Sequence, residues 1–135
     1  MNTFVSFVLL AVCTVTAIPS ILSAPLEKRD GNFSFNCKED GITANGVLTS
    51  GCADSKGAII PASLSLDSCV GNIDGQLTTG FSGFSSSCTG ITLVNPDAAP
   101  GVVLSAQCTT NDGRVVISGL NLDKFVTNTN GVLGC

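Results

Sequence analysis

The chain has 135 residues, with ten acidic against six basic side chains, no His, and a formal net charge of −4. That length holds one domain or two very small ones, and the pI near 4.3 makes phosphate backbones and anionic membranes poor partners, which argues against nucleic acid. Without His there is no Ser-His-Asp or Cys-His nucleophile system, and the commonest zinc ligand is missing.

Residues Met1 to Ala17 are apolar, free of acids, and end in the small residues Val15-Thr16-Ala17. This is the shape of a secretory signal peptide, although the usual positive charge near Met1 is absent. Pro19 interrupts the run, so a transmembrane helix and membrane insertion are not expected. A cut after Ala24 would place Pro25 next to the bond, so cleavage after Ala17 is favoured. The pair Lys28-Arg29 resembles the cut site of Kex-type processing proteases. The reading is therefore a signal peptide over 1–17, a propeptide over 18–29, and a secreted, extracellular domain over 30–135.

Within that domain Phe33, Phe35 and Cys37 alternate with Ser34 and Asn36, a period-two pattern that predicts a strand. Val47 to Cys52 reads as a second strand and Ala58 to Leu64 as a third, with Pro61 placing the third at an edge or a bulge. Leu66 to Val70 is too short for a stable helix and predicts one helical turn. Asn72-Ile73-Asp74-Gly75 predicts a two-residue hairpin, because both central residues must accept positive φ. The connection Thr79-Gly80-Phe81-Ser82-Gly83 follows, and the same order returns up to a second hairpin at Asn128-Thr129-Asn130-Gly131.

The chain repeats itself once. At an offset of 56, Leu48, Cys52, Leu64, Leu66-Asp67, Val70 and Asn72 fall on Leu104, Cys108, Leu120, Leu122-Asp123, Val126 and Asn128. Upstream, Phe33-Ser34 and Cys37 match Phe84-Ser85 and Cys88 at an offset of 51, so an insertion lies around Asn95 to Pro100 and forms a loop. The copies span about 30–81 and 82–135. Each is marginal alone, so the two should share one core. The fold class is all-β.

Cys13 leaves with the signal peptide, and six Cys remain. An even count in a small secreted chain, with no C-x-x-C pair, means a disulfide framework and neither a thiol nor a metal site. Six Cys allow 15 connectivities, which spacing alone does not resolve. The first two Cys of each copy lie on neighbouring predicted strands, which pairs Cys37 with Cys52 and Cys88 with Cys108. Cys69 and Cys135 are then left for each other.

The ordered set Phe33-Ser34-x-x-Cys37, Val47-Leu48-x-x-x-Cys52, Leu64-Ser65-Leu66-Asp67 and Val70-Gly71-Asn72-x-Asp74-Gly75-x-Leu77, found again in the second copy, resembles the cyanovirin-N homologue family. The resemblance covers Phe33 to Leu133. It implies one pseudo-twofold β domain of triple-stranded sheets, hairpins and short helical turns, each half taking three strands from one repeat and the hairpin of the other. It also implies a non-catalytic lectin that binds mannose-containing oligosaccharides or glycoproteins without a cofactor. Asn, Asp, Ser and Thr side chains suit such ligands, since sugar hydroxyls are paired donors and acceptors.

By the same resemblance a first site comprises Gly31, Asn32, Asn36, Ala53 and Ser55 with Asn128, Thr129 and Asn130. A second comprises Asn72, Ile73, Asp74, Ser82, Gly83, Ser86, Ser87, Thr109, Thr110 and Asn111. The family's well-studied lectin has polar or charged residues where this chain has Phe35 and Ala53, and Asp where it has Asn130. In the second site Gly71, Ser86, Thr109 and Asn111 replace charged side chains, but Asn72 and Asp74 are kept, so the second site is favoured. Asn32-Phe33-Ser34 is an N-glycosylation sequon beside the first site.

The competing function is a small disulfide-stabilised interaction or effector protein that keeps the scaffold without a working sugar site. A two-carboxylate glycosidase is the enzymatic alternative, with Asp74 and Asp123 as its acids. It is not favoured, because Asp67 and Asp123 sit beside the helical turns as expected caps and Asp74 belongs to its turn. A monomer is expected, and the short Thr79–Gly83 connection also permits a domain-swapped dimer.

Overall fold

The computed structural model describes residues 31–96 and 101–135. The expected signal peptide and propeptide lie outside the described residues, as does most of the expected loop from Asn95 to Pro100. Ten strands follow in chain order: β1 (Cys37–Ile42), β2 (Val47–Ala53), β3 (Ile59–Ser65), β4 (Val70–Ile73), β5 (Gln76–Thr79), β6 (Cys88–Val94), β7 (Val103–Thr109), β8 (Val115–Asn121), β9 (Thr127–Thr129) and β10 (Val132–Gly134). They form two antiparallel three-stranded sheets, β1-β2-β3 and β6-β7-β8, and two hairpins, β4-β5 and β9-β10. The two copies thus give the same elements in the same order.

The alternation of the central strands sets the core. On β2, Leu48, Ser50 and Cys52 point inward, and on β7 Leu104, Ala106 and Cys108 do. Phe33 and Phe84, Leu66 and Leu122, Val70 and Val126, and Leu77 and Leu133 join them in a single buried cluster. Nearly every core residue therefore has its repeat partner in the same core. Pro61 sits on β3, an edge strand of its sheet, where a missing N–H costs least.

Three disulfides join Cys37 to Cys52, Cys88 to Cys108 and Cys69 to Cys135. In each of the first two, the cysteines are directly paired across neighbouring strands. The third ties the start of β4 to the C-terminal residue.

One expected strand is not a strand. Phe33–Phe35 forms a 3-10 turn, and β1 begins only at Cys37. Phe33 is buried at 1% exposure and Phe35 is 57% exposed, so the two do not share a face. The cause lies before and beyond the segment. Asn32 holds the left-handed conformation at φ 60°, which sends the chain into the turn, and the Ser34 N–H is bound by Asp123 of the other copy. Phe84–Ser86 repeats this turn behind Gly83 at φ 81°.

The hairpins do not pack on their own sheets. In β4-β5, Leu77 N–H donates to the Ser118 hydroxyl of β8 at 2.9 Å. Gly75 lies against Val116 and Thr110, where a Cβ would come within 2.5 Å of a Val116 methyl. In β9-β10, Gly131 lies in the same way against Ile60 of β3. Each half of the molecule thus combines three strands of one copy with the hairpin of the other.

Candidate functional site

Both hairpin bends are two-residue turns, with Ile73 opposite Gln76 and Thr129 opposite Val132. Asp74 and Gly75 have φ of 50° and 86°, and Asn130 and Gly131 have 53° and 82°. That left-handed pair is the geometry in which Asp-Gly and Asn-Gly are preferred. Asp74 and Asn130 are exposed at the tips, and each tip meets the loop between the second and third strands of the other copy.

In the second site, the Asn72 amide donates to the Ser87 hydroxyl and to the Thr109 carbonyl, both at 2.9 Å. Its oxygen accepts the Gly75 N–H at 2.8 Å. Asp74 Oδ1 accepts the Asn111 N–H at 2.9 Å, so this carboxylate binds across to the other copy rather than within its own turn. Thr109 N–H donates to the Ser87 carbonyl at 3.0 Å. The Ser86 hydroxyl donates back to the Gly83 carbonyl at 2.7 Å. Asn72 is therefore a clasp with both amide protons engaged, and it has none to offer a ligand.

Thr110 is also less available than the sequence suggests. It is 8% exposed, its hydroxyl donates to Asp112 Oδ1, and it accepts the Arg114 N–H at 3.0 Å. Ser82, Thr109 and Asn111 are exposed, and so is Asp74, whose Oδ1 alone accepts a hydrogen bond. Ile73, 46% exposed, adds an apolar patch beside them.

Sequence reasoning missed Asp112, Arg114 and Gln76. A groove of about 590 Å³ beside the β4-β5 bend is lined by Asp74, Gln76, Thr110, Arg114 and Ser118 among others. Arg114 Nε donates to Asp112 Oδ2 at 2.8 Å. The Thr110 hydroxyl, followed by Arg114, holds the Asp112 carboxyl below the usual carboxylate range. The signal was available in the comparison of the copies. Gln76 of the first copy has Val132 as its counterpart in the second, and Asp112 and Arg114 of the second copy stand where the first has Lys56 and Ala58.

The first site assembles by the same contacts. The Asn128 amide donates to the Ala53 carbonyl at 3.0 Å and its oxygen accepts the Gly131 N–H at 2.9 Å. Asn130 Oδ1 accepts the Ser55 N–H at 2.7 Å, and Ala53 N–H donates to the Asn36 carbonyl at 2.8 Å. Asn36, Ser55 and Thr129 are exposed, while Gly31 and Asn32 are half-buried at the foot of the Phe33–Phe35 turn. Next in sequence to Asn36 and Gly131 stand Phe35 and Val132, 57% and 66% exposed.

The expected caps act across the molecule. Asp67 accepts the Ser85 N–H at 2.8 Å and the Ser85 hydroxyl, and so caps the Phe84–Ser86 turn. Asp123 accepts the Ser34 N–H at 3.1 Å and the Gly101 and Val102 N–H groups at 2.8 and 3.2 Å. Each aspartate therefore caps the helical turn of the opposite copy, not the one that contains it. Among the described residues, no group of three or more His, Cys, Asp or Glu is placed to hold a metal ion.

The CVNH domain matches residues 33–134. The CVNH protein of Gibberella zeae is 30% identical over 76% of this chain and 95% of its own, with a TM-score of 0.68. The T. borchii CVNH protein is 28% identical over 76% and 97%, with a TM-score of 0.67. Microvirin, solved as its mannobiose complex, is 30% identical over 77% and 97%, also at 0.67. The match takes in both three-stranded sheets, both hairpins and all three disulfide-linked pairs except Cys135 itself, and the chain belongs to the CVNH family, the cyanovirin-N homologues.

Proposed function

We propose that the protein is a secreted, monomeric, non-catalytic lectin that binds mannose-rich glycans chiefly at the second site. The observation that carries this reading is the set of unengaged polar groups on a braced frame. Ser82, Thr109, Asn111 and Asp74 are exposed, while Asn72 and Thr110 hold the bend and its facing loop in place. Donors and acceptors fixed before the ligand arrives lose little entropy on binding, which suits shallow recognition of hydroxyls. Microvirin, 30% identical, is known with mannobiose bound, and this supports the sugar class. Three disulfides suit an oxidising compartment and support export.

A glycan array on the chain from Asp30 to Cys135 tests the reading. Mannose-terminated glycans should be retained. Thr109→Ala with Asn111→Ala should weaken binding about tenfold, as expected for the loss of one or two hydrogen bonds. A parent chain that binds no glycan would favour the scaffold-only interaction protein. The exposed Phe35 and the small Ala53 lend the first groove to that alternative.

A further inference from the structure

The sequon Asn32-Phe33-Ser34 is not absorbed by the function proposed above. Its acceptor residue is half-buried, and the side chain makes no capping hydrogen bond. Among the described residues, Asn72, Asn121, Asn128 and Asn130 all engage their side chains, so Asn32 differs from the asparagines that brace the fold. Phe35 N–H donates to the Asn32 carbonyl at 3.3 Å, which sets the two residues side by side on one turn. Phe35 is 57% exposed there, a large apolar face with no cover. The matched position in the second copy is Ser86, which needs none.

The Ser34 hydroxyl is buried and has no hydrogen-bond partner among the described residues. Its counterpart Ser85 bonds its hydroxyl to Asp67. A buried hydroxyl that is unpaired adds nothing to the fold, and ordinarily costs about 1–3 kcal/mol. In a sequon the same hydroxyl has a use during synthesis, because it completes the acceptor signal. Asn32 also lies fifteen residues beyond the expected cut at Ala17, upstream residues that are still attached when sugars are added in the secretory pathway.

We propose that Asn32 carries an N-linked glycan that lies over Phe35 and closes the first groove. Transfer forms a bond from Asn32 Nδ2 to the anomeric carbon of an oligosaccharide. The bond from that carbon to a polyprenyl diphosphate breaks, the diphosphate leaves with the electron pair, and one amide proton passes to the solvent. The donor is the lipid-linked oligosaccharide of the secretory pathway, and the host's transferase supplies the catalyst. The glycan then covers an apolar ring with sugar C–H faces and leaves the second groove as the open site. The proposal shares the expectation of export with the proposed function, but not the expectation of sugar binding.

The test is expression of the full 135-residue chain in a eukaryotic secretory host, with peptide mass mapping of the secreted protein. The peptide containing Asn32 should carry an oligosaccharide mass, and a peptide N-glycosidase should remove it and leave an aspartate at that position. Ser34→Ala should abolish the added mass without loss of stability, since it removes no hydrogen bond. Asn32→Gly should do the same, because its φ of 60° suits glycine as at Gly83. Enzymatic removal of the glycan should shift the amide resonances of Asn36, Ser55 and Asn128–Asn130 and leave those of Asn72–Asp74 in place. Secreted chain with unmodified Asn32, or chain that never enters the secretory pathway, overturns the proposal. A glycan whose removal shifts none of the first-groove resonances overturns the closure. A negative glycan array with Asn32 modified would overturn the proposed function alone.

Discussion

Asp67 and Asp123 are matched residues with unequal surroundings. Asp123 is 4% exposed and serves three backbone N–H groups from two segments, whereas Asp67 is half-buried and serves Ser85 only. Truncation of Asp123 strands three donors in the interior. Asp123→Ala should therefore lower the unfolding free energy by roughly 3 kcal/mol or more. Asp67→Ala should cost about 1–2 kcal/mol, the range of an ordinary cap. Urea denaturation of the two variants checks both the sizes and the order. Their pairing was visible in the sequence, since Leu66-Asp67 repeats as Leu122-Asp123. Their true partners were not, because Ser34 is 89 positions from Asp123 and no local pattern reports such a contact.

At the scale of elements, the hairpin bends are the joints of the fold. Asn72 closes its turn and crosses to β7 with the same side chain, so its loss removes three hydrogen bonds. Asn72→Ala should destabilise the protein by about 2–3 kcal/mol, while Thr109→Ala, an exposed site with no side-chain partner, should stay within about 0.5 kcal/mol. Thermal unfolding separates the two, and only the second variant then reports on sugar binding without disturbing the frame. The bends were legible because Asp-Gly and Asn-Gly answer a backbone requirement that acts over two residues. Strands β2 and β3 were legible for a similar reason, since their alternation is local. The Phe33–Phe35 turn reads as a strand in the sequence because Phe-Ser-Phe has period two by composition. Its conformation is set instead by Asn32 at positive φ and by Asp123. Arg114 has Ala58 as its counterpart in the first copy, so the repeat pattern does not mark it.

At the scale of the whole molecule, neither copy is a folding unit. Each three-stranded sheet receives the hairpin of the other copy, and each helical turn receives the other copy's aspartate. The Cys69–Cys135 bond, with a sequence separation of 66, closes the longest loop of the three. Replacing both of its cysteines by serine should cost about 4 kcal/mol by loop-closure entropy. Loss of Cys37–Cys52, which closes 15 residues, should cost about 3 kcal/mol. Chemical denaturation of the two double variants tests that order. The exchange of hairpins also explains why the candidate sites are composite, since each groove has a bend from one copy and a loop from the other. The direct test of this account is a titration of the labelled chain from Asp30 to Cys135 with a mannose disaccharide, followed by amide resonances. The account predicts shifts that cluster on Ile73, Asp74, Ser82, Gly83 and Thr109–Asn111, on both partners of the second joint. Shifts confined to one copy, or no shift at millimolar sugar, would contradict it.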